Sequence, residues 1–224
     1  MGVSRAQPEQ TGVAIRGAAA RTRRLMLQTA VDLMQRGETP SISAAAEAAG
    51  VSRATAYRYF PSQAALVQAV VDEALGPILG WESESDDAAD RVEDLLRRSM
   101  PRIVDFESTF KAALKLSLEQ WAQRNAGTLG EEPAFKRGHR VDLLKRAIAP
   151  LKSKLPPKQF SRLAKALSLT YGLEVLIILK DLWGLDDAET RSTAIWAGRA
   201  LVNAAMAEAG LSVATNSKKV SRVR

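Results

Sequence analysis

The turn Gly50-Val51-Ser52 constrains the fold of this chain more than any other feature of its sequence. Residues 41–49 before the turn are rich in alanine, the strongest helix former, and residues 53–60 after it contain neither glycine nor proline. Glycine tolerates the left-handed backbone that ends a helix, and serine is a preferred N-cap residue. The segment therefore predicts two short helices joined by a tight turn, the arrangement of a helix-turn-helix.

The remainder of the chain has the apolar spacing of helices, without the alternation of a β-strand. We expect helices at about residues 22–35, 41–49, 53–60, 62–75, 87–100, 101–121, 140–149, 157–183 and 187–209. Pro101 is expected to start the sixth of them. The prediction is an all-α protein in which a three-helix helix-turn-helix domain is joined to a second all-helical domain.

Composition narrows the classes of function. Lys and Arg number 32 against 25 Asp and Glu, and the net charge of +7 suits a polyanionic partner. The chain has no cysteine and one histidine, and it lacks a Gly-rich phosphate loop and the G-x-S-x-G and H-E-x-x-H motifs. We therefore expect no enzyme, no catalytic residues, no metal and no cofactor.

No stretch of the sequence predicts a membrane or secretory segment. The longest strongly apolar run, residues 173–179, is interrupted by Glu174 and is too short to cross a bilayer. The first 24 residues lack the continuous apolar core of a signal peptide. The expected location is the cytoplasm, with no membrane partner.

Spacing assigns the two faces of the third helix. Ala56 and Phe60 lie four residues apart and share a face that can pack on the first two helices. The opposite face then presents Arg53, Ala54, Tyr57 and Arg58. In a helix-turn-helix this second helix enters the major groove of double-stranded DNA, so these residues are candidate DNA contacts. The alternative is a surface helix whose basic and aromatic residues pack against a neighbouring element.

Each candidate has a chemical role in DNA binding. Arg53 can bond guanine O6 and N7, and Ala54 is small enough to let the backbone approach the groove. Thr55 can bond a phosphate or touch a thymine methyl group. The remaining candidates serve phosphates: Tyr57, Arg58 and Tyr59 through their side chains, and Ser41, Ser43 and Ser52 at the helix N-termini.

Four arginines lie just before or at the start of the first predicted helix: Arg16, Arg21, Arg23 and Arg24. A flexible basic arm of this kind can enter a minor groove. The alternative is a solvated basic tail. Deletion of residues 1–19 would separate the two interpretations.

Residues 41–66 resemble the DNA-binding signature of the TetR family of bacterial transcriptional regulators. The matching residues are Ala46, Ala49-Gly50-Val51-Ser52, Thr55, Tyr57, Phe60-Pro61-Ser62 and Leu66, and a looser similarity extends over about residues 22–70. The resemblance implies DNA contacts by Thr55, Tyr57 and Tyr59. The family often has a phosphate-binding lysine after the serine of Phe60-Pro61-Ser62. Here that position is Gln63, which implies a neutral and weaker contact.

The last two predicted helices indicate a homodimer. Residues 157–183 are apolar on nearly every side, and a helix of that kind must be covered on every side. The last helix carries small residues that permit close helix packing. Two copies would form a four-helix bundle, which is also the arrangement that the family resemblance implies. A dimer would present two recognition helices to a near-palindromic operator.

The family resemblance also implies a pocket for a small-molecule effector that lowers operator affinity. Its candidate lining is Phe106, Phe110, Trp121, Leu143, Tyr171 and Glu174. Simple core packing is the alternative for the aromatic residues. Glu174 could bind a cationic or hydroxyl-bearing ligand, pair with an arginine, or lie at a helix edge.

The predicted organisation has four parts. A disordered basic N-terminal arm covers residues 1–20, the helix-turn-helix DNA-binding domain covers 21–75, the helical regulatory and dimerisation domain covers 76–210, and a basic disordered tail covers 211–224. The predicted function is a dimeric, ligand-responsive transcriptional repressor, although activation remains open. A non-specific, nucleoid-type DNA-binding protein is the alternative.

Overall fold

The computed structural model describes residues 9–135 and 138–212, with side chains from Gly17 onward. Every regular element in these residues is helical, so the all-α prediction is confirmed. The helices are α1 (Glu9–Gln35), α2 (Ile42–Ala48), α3 (Arg53–Tyr59), α4 (Gln63–Leu75), α5 (Ala88–Asp105), α6 (Glu107–Asn125), α7 (His139–Ala147), α8 (Pro157–Leu167), α9 (Leu173–Leu176) and α10 (Asp187–Glu208). Short 3₁₀ turns cover Gly76–Gly80 and Ala149–Leu151.

Helix α1 begins earlier than the sequence predicts. We expected a start near residue 22 after a disordered arm, whereas the helix begins at Glu9 and includes residues 9–20 of that arm. Residues 9–20 contain two glycines, Gly12 and Gly17, which lower helix propensity, so propensity alone does not predict that the helix extends over them. Residues 1–8 of the predicted arm and 213–224 of the predicted tail lie outside the described residues.

Pro101 lies inside α5, so the predicted helix start at this proline is wrong. The break comes instead at Phe106, which has φ −110° and ψ 24° and precedes α6. A proline within a helix leaves the carbonyl four residues earlier without its helical donor. Pro101 and Arg97 are both exposed, so solvent can reach that carbonyl and the helix can continue.

The predicted single helix over 157–183 is also wrong, because the chain breaks between α8 and α9. Gly172 has φ +103°, a conformation that side-chain-bearing residues rarely adopt, and it directly precedes α9. Beyond α9 the chain forms a π-helical turn, Ile177–Leu182. The apolar residues of this region therefore divide into a buried set, which includes Leu167, Tyr171 and Leu176, and an exposed set.

The first compact unit joins the chain up to Gly76 with the segment that starts at Asp105. Helix α1 packs against α2, α3, α4 and α6, and α6 also packs against α4. The fully buried side chains include Met26, Met34, Phe60 and Leu66. The sequence interpretation assigned α6 to the regulatory domain, and its boundaries at 21–75 and 76–210 stay a prediction.

A buried glutamine fastens the loop after α6 within this unit. The side-chain oxygen of Gln120 accepts a hydrogen bond from the Phe135 amide at 2.7 Å, and its side-chain nitrogen donates to the Pro133 carbonyl at 3.2 Å. In the same loop, the Glu132 carboxylate accepts from the amide of Ala64, in the first turn of α4, at 3.3 Å. A carboxylate at this place is favoured by the helix dipole.

The second compact unit joins Pro77–Val104 with the chain from Gly138 onward. Helix α10 packs against α8 and α9, and α7 packs against α8. Ala194, Gly198 and Ala205 of α10 are buried within the chain. These three small residues pack within the unit, whereas Ala200 and Ala204 of the same helix are exposed, and the dimer-interface role of α10 stays a prediction.

Two arginines hold the segment that leads into α5. The Arg91 guanidinium donates to the carbonyls of Ala147 at 3.0 Å and Ser85 at 3.0 Å. Arg146 donates to the carbonyls of Leu79 at 2.8 Å and Trp81 at 3.0 Å. The charged donors of arginine make the stronger kind of hydrogen bond, so these contacts fasten the segment to residues at the end of α7.

No helix among the described residues is both long and apolar enough to cross a bilayer.

Candidate nucleic-acid interface

Serine caps fix the beginnings of α2 and α3. The Ser41 hydroxyl accepts from the Ala44 amide at 3.1 Å. The Ser52 hydroxyl accepts from the Thr55 amide at 3.3 Å and donates to the Thr55 hydroxyl at 2.9 Å. Both capping residues have extended backbones, as N-caps require. These bonds use the oxygens of the capping serines within the protein and define where each helix starts.

The turn between α2 and α3 has the geometry that its glycine predicts. Gly50 has φ +63°, and the Val51 amide donates to the Ala46 carbonyl at 2.8 Å. This bond closes the end of α2 onto the residue that enters α3. Because α2 and α3 also pack against each other, the turn fixes the direction of α3 relative to α2.

Helix α3 is buried on one face and open on the other. Ala56 is 0% exposed and Phe60 is 2% exposed, as the spacing predicts. Arg53, Ala54 and Arg58 are exposed, and Tyr57 keeps half of its surface accessible. The open face therefore combines two guanidinium groups, a phenol and one small residue that leaves the backbone accessible.

Thr55 and Tyr59 lie at the border between the two faces and are half-buried. The Arg58 guanidinium lies 5.3 Å from the centre of the Tyr59 ring, a cation–π distance. A charge held against a ring samples fewer rotamers, so Arg58 is partly ordered before any ligand arrives. The hydroxyl of Thr55 already accepts from Ser52 but retains its own donor hydrogen.

The other predicted DNA contacts lie at the beginnings of α2 and α4. Ser41 is exposed and Ser43 is half-buried. Gln63 is half-buried, and its side-chain nitrogen donates to the carbonyls of Thr39 at 3.4 Å and Pro40 at 3.1 Å. The side chain of Gln63 is therefore occupied within the protein, beside the residue that caps α2.

A basic cavity on α1 adds to the surface that the sequence interpretation described. Arg21, Arg23 and Arg24 line an open surface cavity of about 580 Å³. The Arg23 guanidinium also lies 5.3 Å from the centre of the Phe60 ring. The sequence showed the arginines but not the cavity, because their common placement depends on the packing of α1 against α3 and α4.

The predicted effector-pocket residues fall into both compact units. Phe106, Phe110 and Trp121 belong to the first unit, and Trp121 is 61% exposed. Leu143, Tyr171 and Glu174 belong to the second unit, in which Leu143 and Tyr171 are buried. The ligand-binding role of these six residues stays a prediction.

Glu174 forms an ion pair with Arg140, one of the alternatives that the sequence left open. Arg140 also donates to the Ser168 carbonyl at 3.4 Å. Burial raises the pKa of the Tyr171 phenol, against the smaller opposing effect of nearby donors and positive charges. The phenol therefore stays neutral at physiological pH and can act as a hydrogen-bond donor.

Comparisons with known proteins agree with the resemblance in the sequence. The family model for bacterial regulatory proteins of the tetR family matches residues 27–70, from the middle of α1 into α4. No curated protein matches the chain.

Two solved structures share its fold. A TetR transcriptional regulator from Rhodococcus sp. RHA1 is 22% identical, with a TM-score of 0.53 over 81% of this chain and 96% of that one. A putative TetR-family transcriptional regulator from Mesorhizobium loti MAFF303099 is 18% identical, with a TM-score of 0.53 over 85% of this chain and 97% of that one. The predicted resemblance over about residues 22–70 is confirmed, and the likeness of fold extends over most of the chain.

Proposed function

We propose that this chain is a dimeric repressor that a small-molecule effector releases from a palindromic operator. The proposal starts from the match of residues 27–70 to the tetR family, which makes the chain a DNA-binding transcriptional regulator. The open face of α3 is the observation that carries sequence-specific DNA binding. It presents Arg53, Tyr57 and Arg58 to solvent while Ala56 and Phe60 anchor the helix from behind. An arginine free to reach base edges is the commonest reader of guanine in the major groove.

The dimer is supported by exposed apolar side chains in the second compact unit. Leu182, Trp183 and Trp196 keep 77%, 70% and 71% of their surfaces accessible, and Leu169 is equally exposed. Large apolar side chains grouped on few elements are typical of protein interfaces. We propose that the region from residue 157 to the end of α10 contributes the surface that a second copy covers. The sequence predicts two helices in this region.

The dimer can be tested by sedimentation at micromolar concentrations. Leu182→Glu combined with Trp196→Glu should convert a dimeric species into a monomer, because two charges would be buried without partners. The matched control is Leu118→Glu, which changes an exposed leucine of α6 in the other unit. A monomeric wild type, or a double variant that sediments like the control, would contradict the proposed interface.

Residues of the second compact unit support an effector site. Buried Leu143 and Tyr171, with the neutral phenol and the Arg140–Glu174 pair, offer an apolar environment with a few polar groups. That combination is common in small-molecule sites. A thermal-shift screen of small molecules is the direct test. For any compound that stabilises the wild type, Glu174→Gln should reduce the stabilisation, and an unchanged response would remove Glu174 from the site.

Non-specific, nucleoid-type binding is the alternative function, and a selection from random-sequence duplex DNA separates it from operator recognition. A specific regulator should enrich a near-palindromic sequence and bind it at least about 10³-fold more tightly than unselected DNA. A non-specific protein should enrich nothing and show only a steep dependence on salt. The genes that flank an enriched site would then indicate what the protein controls.

A further inference from the structure

The cavity on α1 has the chemistry of an anion site. Its lining consists of Ala20, Arg21, Arg23, Arg24, Leu27, Gln28 and Glu73. Three guanidinium groups and one carboxylate leave an excess of two positive charges around about 580 Å³. Arginine offers a planar set of donors that matches the oxygens of a phosphate, and it is the residue most often used for this purpose.

The placement of Arg23 connects this cavity to the recognition helix. Its guanidinium stacks 5.3 Å from the ring centre of Phe60, the residue that ends α3, and the Phe60 ring is itself 2% exposed. Arg23 is therefore held at the carboxyl end of the helix that we propose to enter the major groove. Sugar-phosphate strands border the major groove, so groups at the ends of a recognition helix are well placed for phosphates.

The arginines of the α1 cavity lie on a helix, which distinguishes them from the flexible basic arm that the sequence predicts. Arg21, Arg23 and Arg24 belong to α1, which packs on α3 and α4. Their backbone positions are fixed before DNA binds, so little conformational entropy is lost when they bind a ligand. An arm that threads into the minor groove requires a mobile chain. The geometry favours a preformed phosphate site over minor-groove insertion.

We propose that the α1 cavity binds a backbone phosphate of the DNA whose major groove α3 reads. Arg21 and Arg24 supply the ionic hydrogen bonds, Arg23 joins the cavity to the end of α3, and Glu73 moderates its positive charge. The family resemblance expects a phosphate-binding lysine at the position of Gln63. The α1 site would supply part of the phosphate affinity that this lysine provides in the family. The phosphate site rests on the proposed DNA-binding function.

The test measures affinity for one duplex of about 30 base pairs, selected by the wild type, at several salt concentrations. Arg21→Ala with Arg24→Ala should reduce the slope of log K against log salt by about one for each phosphate that is no longer neutralised. Affinity at low salt should fall by about tenfold or more. Arg23 is left in place, because its ring contact also serves packing. The matched control is Arg124→Ala, which removes a positive charge from an exposed position of α6.

The outcomes are separable. A wild type that binds no duplex at low salt would contradict the DNA-binding function and the phosphate site with it. A wild type that binds, with a double variant whose slope and affinity equal those of the Arg124 control, would overturn the α1 site alone. Circular dichroism establishes that the double variant is folded. If it is not, Arg21→Lys with Arg24→Lys replaces it, and lysine should preserve the slope but weaken affinity, because it lacks the bidentate geometry of arginine.

Glu73→Gln provides an independent check with the opposite sign. Removal of the carboxylate from the cavity lining should strengthen binding of the same duplex several-fold, because the phosphate is no longer repelled by a nearby negative charge. The effect should disappear in the Arg21/Arg24 double variant if both changes act through one phosphate. Equal effects of Glu73→Gln in both backgrounds would contradict a common site.

Discussion

The side-chain amide of Gln63 donates a hydrogen bond to the carbonyl oxygen of Pro40 over 3.1 Å. Pro40 immediately precedes Ser41, the N-cap of α2, so this bond joins the start of α4 to the start of α2. The family resemblance expects a phosphate-binding lysine at this position. In this chain the side chain is engaged in holding two helix beginnings together, and direct DNA contact by Gln63 stays a prediction.

Substitution of Gln63 separates its structural contribution from DNA affinity. Gln63→Ala should lower the free energy of unfolding by about 0.5–1.5 kcal/mol, because it removes a hydrogen bond between the two helix starts. Gln63→Lys should instead raise DNA affinity and increase the salt slope by about one, as expected for one additional neutralised phosphate. Urea unfolding and DNA titration measure the two effects. Gln123→Ala, at an exposed glutamine of α6, is the control and should change neither.

Substitution of Arg53 and substitution of Arg58 should impair DNA binding in different ways. Arg53→Ala should cost about 1–3 kcal/mol of binding to the selected duplex and relax base preference at one position, because it removes a group that reads a base. Arg58→Ala should weaken binding to all sequences about equally and flatten the salt dependence, because it removes a group that neutralises a phosphate. Parallel titrations with selected and scrambled duplexes distinguish the two patterns. If Arg53→Ala leaves affinity and preference unchanged, Arg53 does not read a base.

Local chemistry made the recognition helix predictable. Ser52 caps α3 and Gly50 takes a positive φ for reasons contained within a few residues. Four-residue spacing alone correctly separated buried Ala56 and Phe60 from exposed Arg53 and Tyr57. Such features depend on neighbours in the sequence, so a single chain is enough to reveal them.

The wrong predictions concern places where residues distant in the sequence determine where a helix ends or what a side chain contacts. The run from 157 to 183 has helical periodicity throughout, and the sequence does not reveal that Gly172 takes φ +103° within it. Pro101 suggested a boundary, but its exposed position lets α5 continue. The engagement of Gln63 with Pro40 and the α1 cavity both depend on how separate helices pack. Propensity and periodicity contain no information about that packing.

Glu93 links stability to pH through Arg97 and Arg199. Its carboxylate lies 2.5 Å from Arg97 and 2.6 Å from Arg199. The hydrogen bond from Arg97 is the main cause that holds the pKa of Glu93 below its ordinary value of 4.5, with partial burial opposing it and Arg199 adding to it. A lowered pKa in the folded state means that the ionised carboxylate stabilises the fold above pH 4.5. This stabilisation is lost as the pH falls through the lowered pKa.

Glu93→Gln should therefore destabilise the protein at pH 7 by about 1 kcal/mol or less, since the pair is partly open to solvent. The difference between variant and wild type should shrink as the pH is lowered from 4.5. Urea unfolding at a series of pH values measures both quantities. Glu119→Gln is the control, because Glu119 is more exposed and lies 4.0 Å from Lys115. If the stability difference between wild type and Glu93→Gln stays constant down to the lowest pH, it does not arise from the charge of the Glu93 carboxylate.

Gly198 should be intolerant of a larger side chain. A Cβ atom at this position of α10 would lie 3.0 Å from a methyl group of Val92 and 3.1 Å from one of Leu96, closer than nearly all side-chain contacts. Gly198→Val should lower the free energy of unfolding by about 1–3 kcal/mol, because overpacking displaces α5 from α10. The control is Ala122→Val, at an exposed position of α6 outside the proposed dimer surface, where only the helix propensity of valine acts, at less than about 0.7 kcal/mol. Urea unfolding of both variants gives the comparison. If the two variants are equally stable, the contact between α5 and α10 at Gly198 is not tight enough to exclude a side chain.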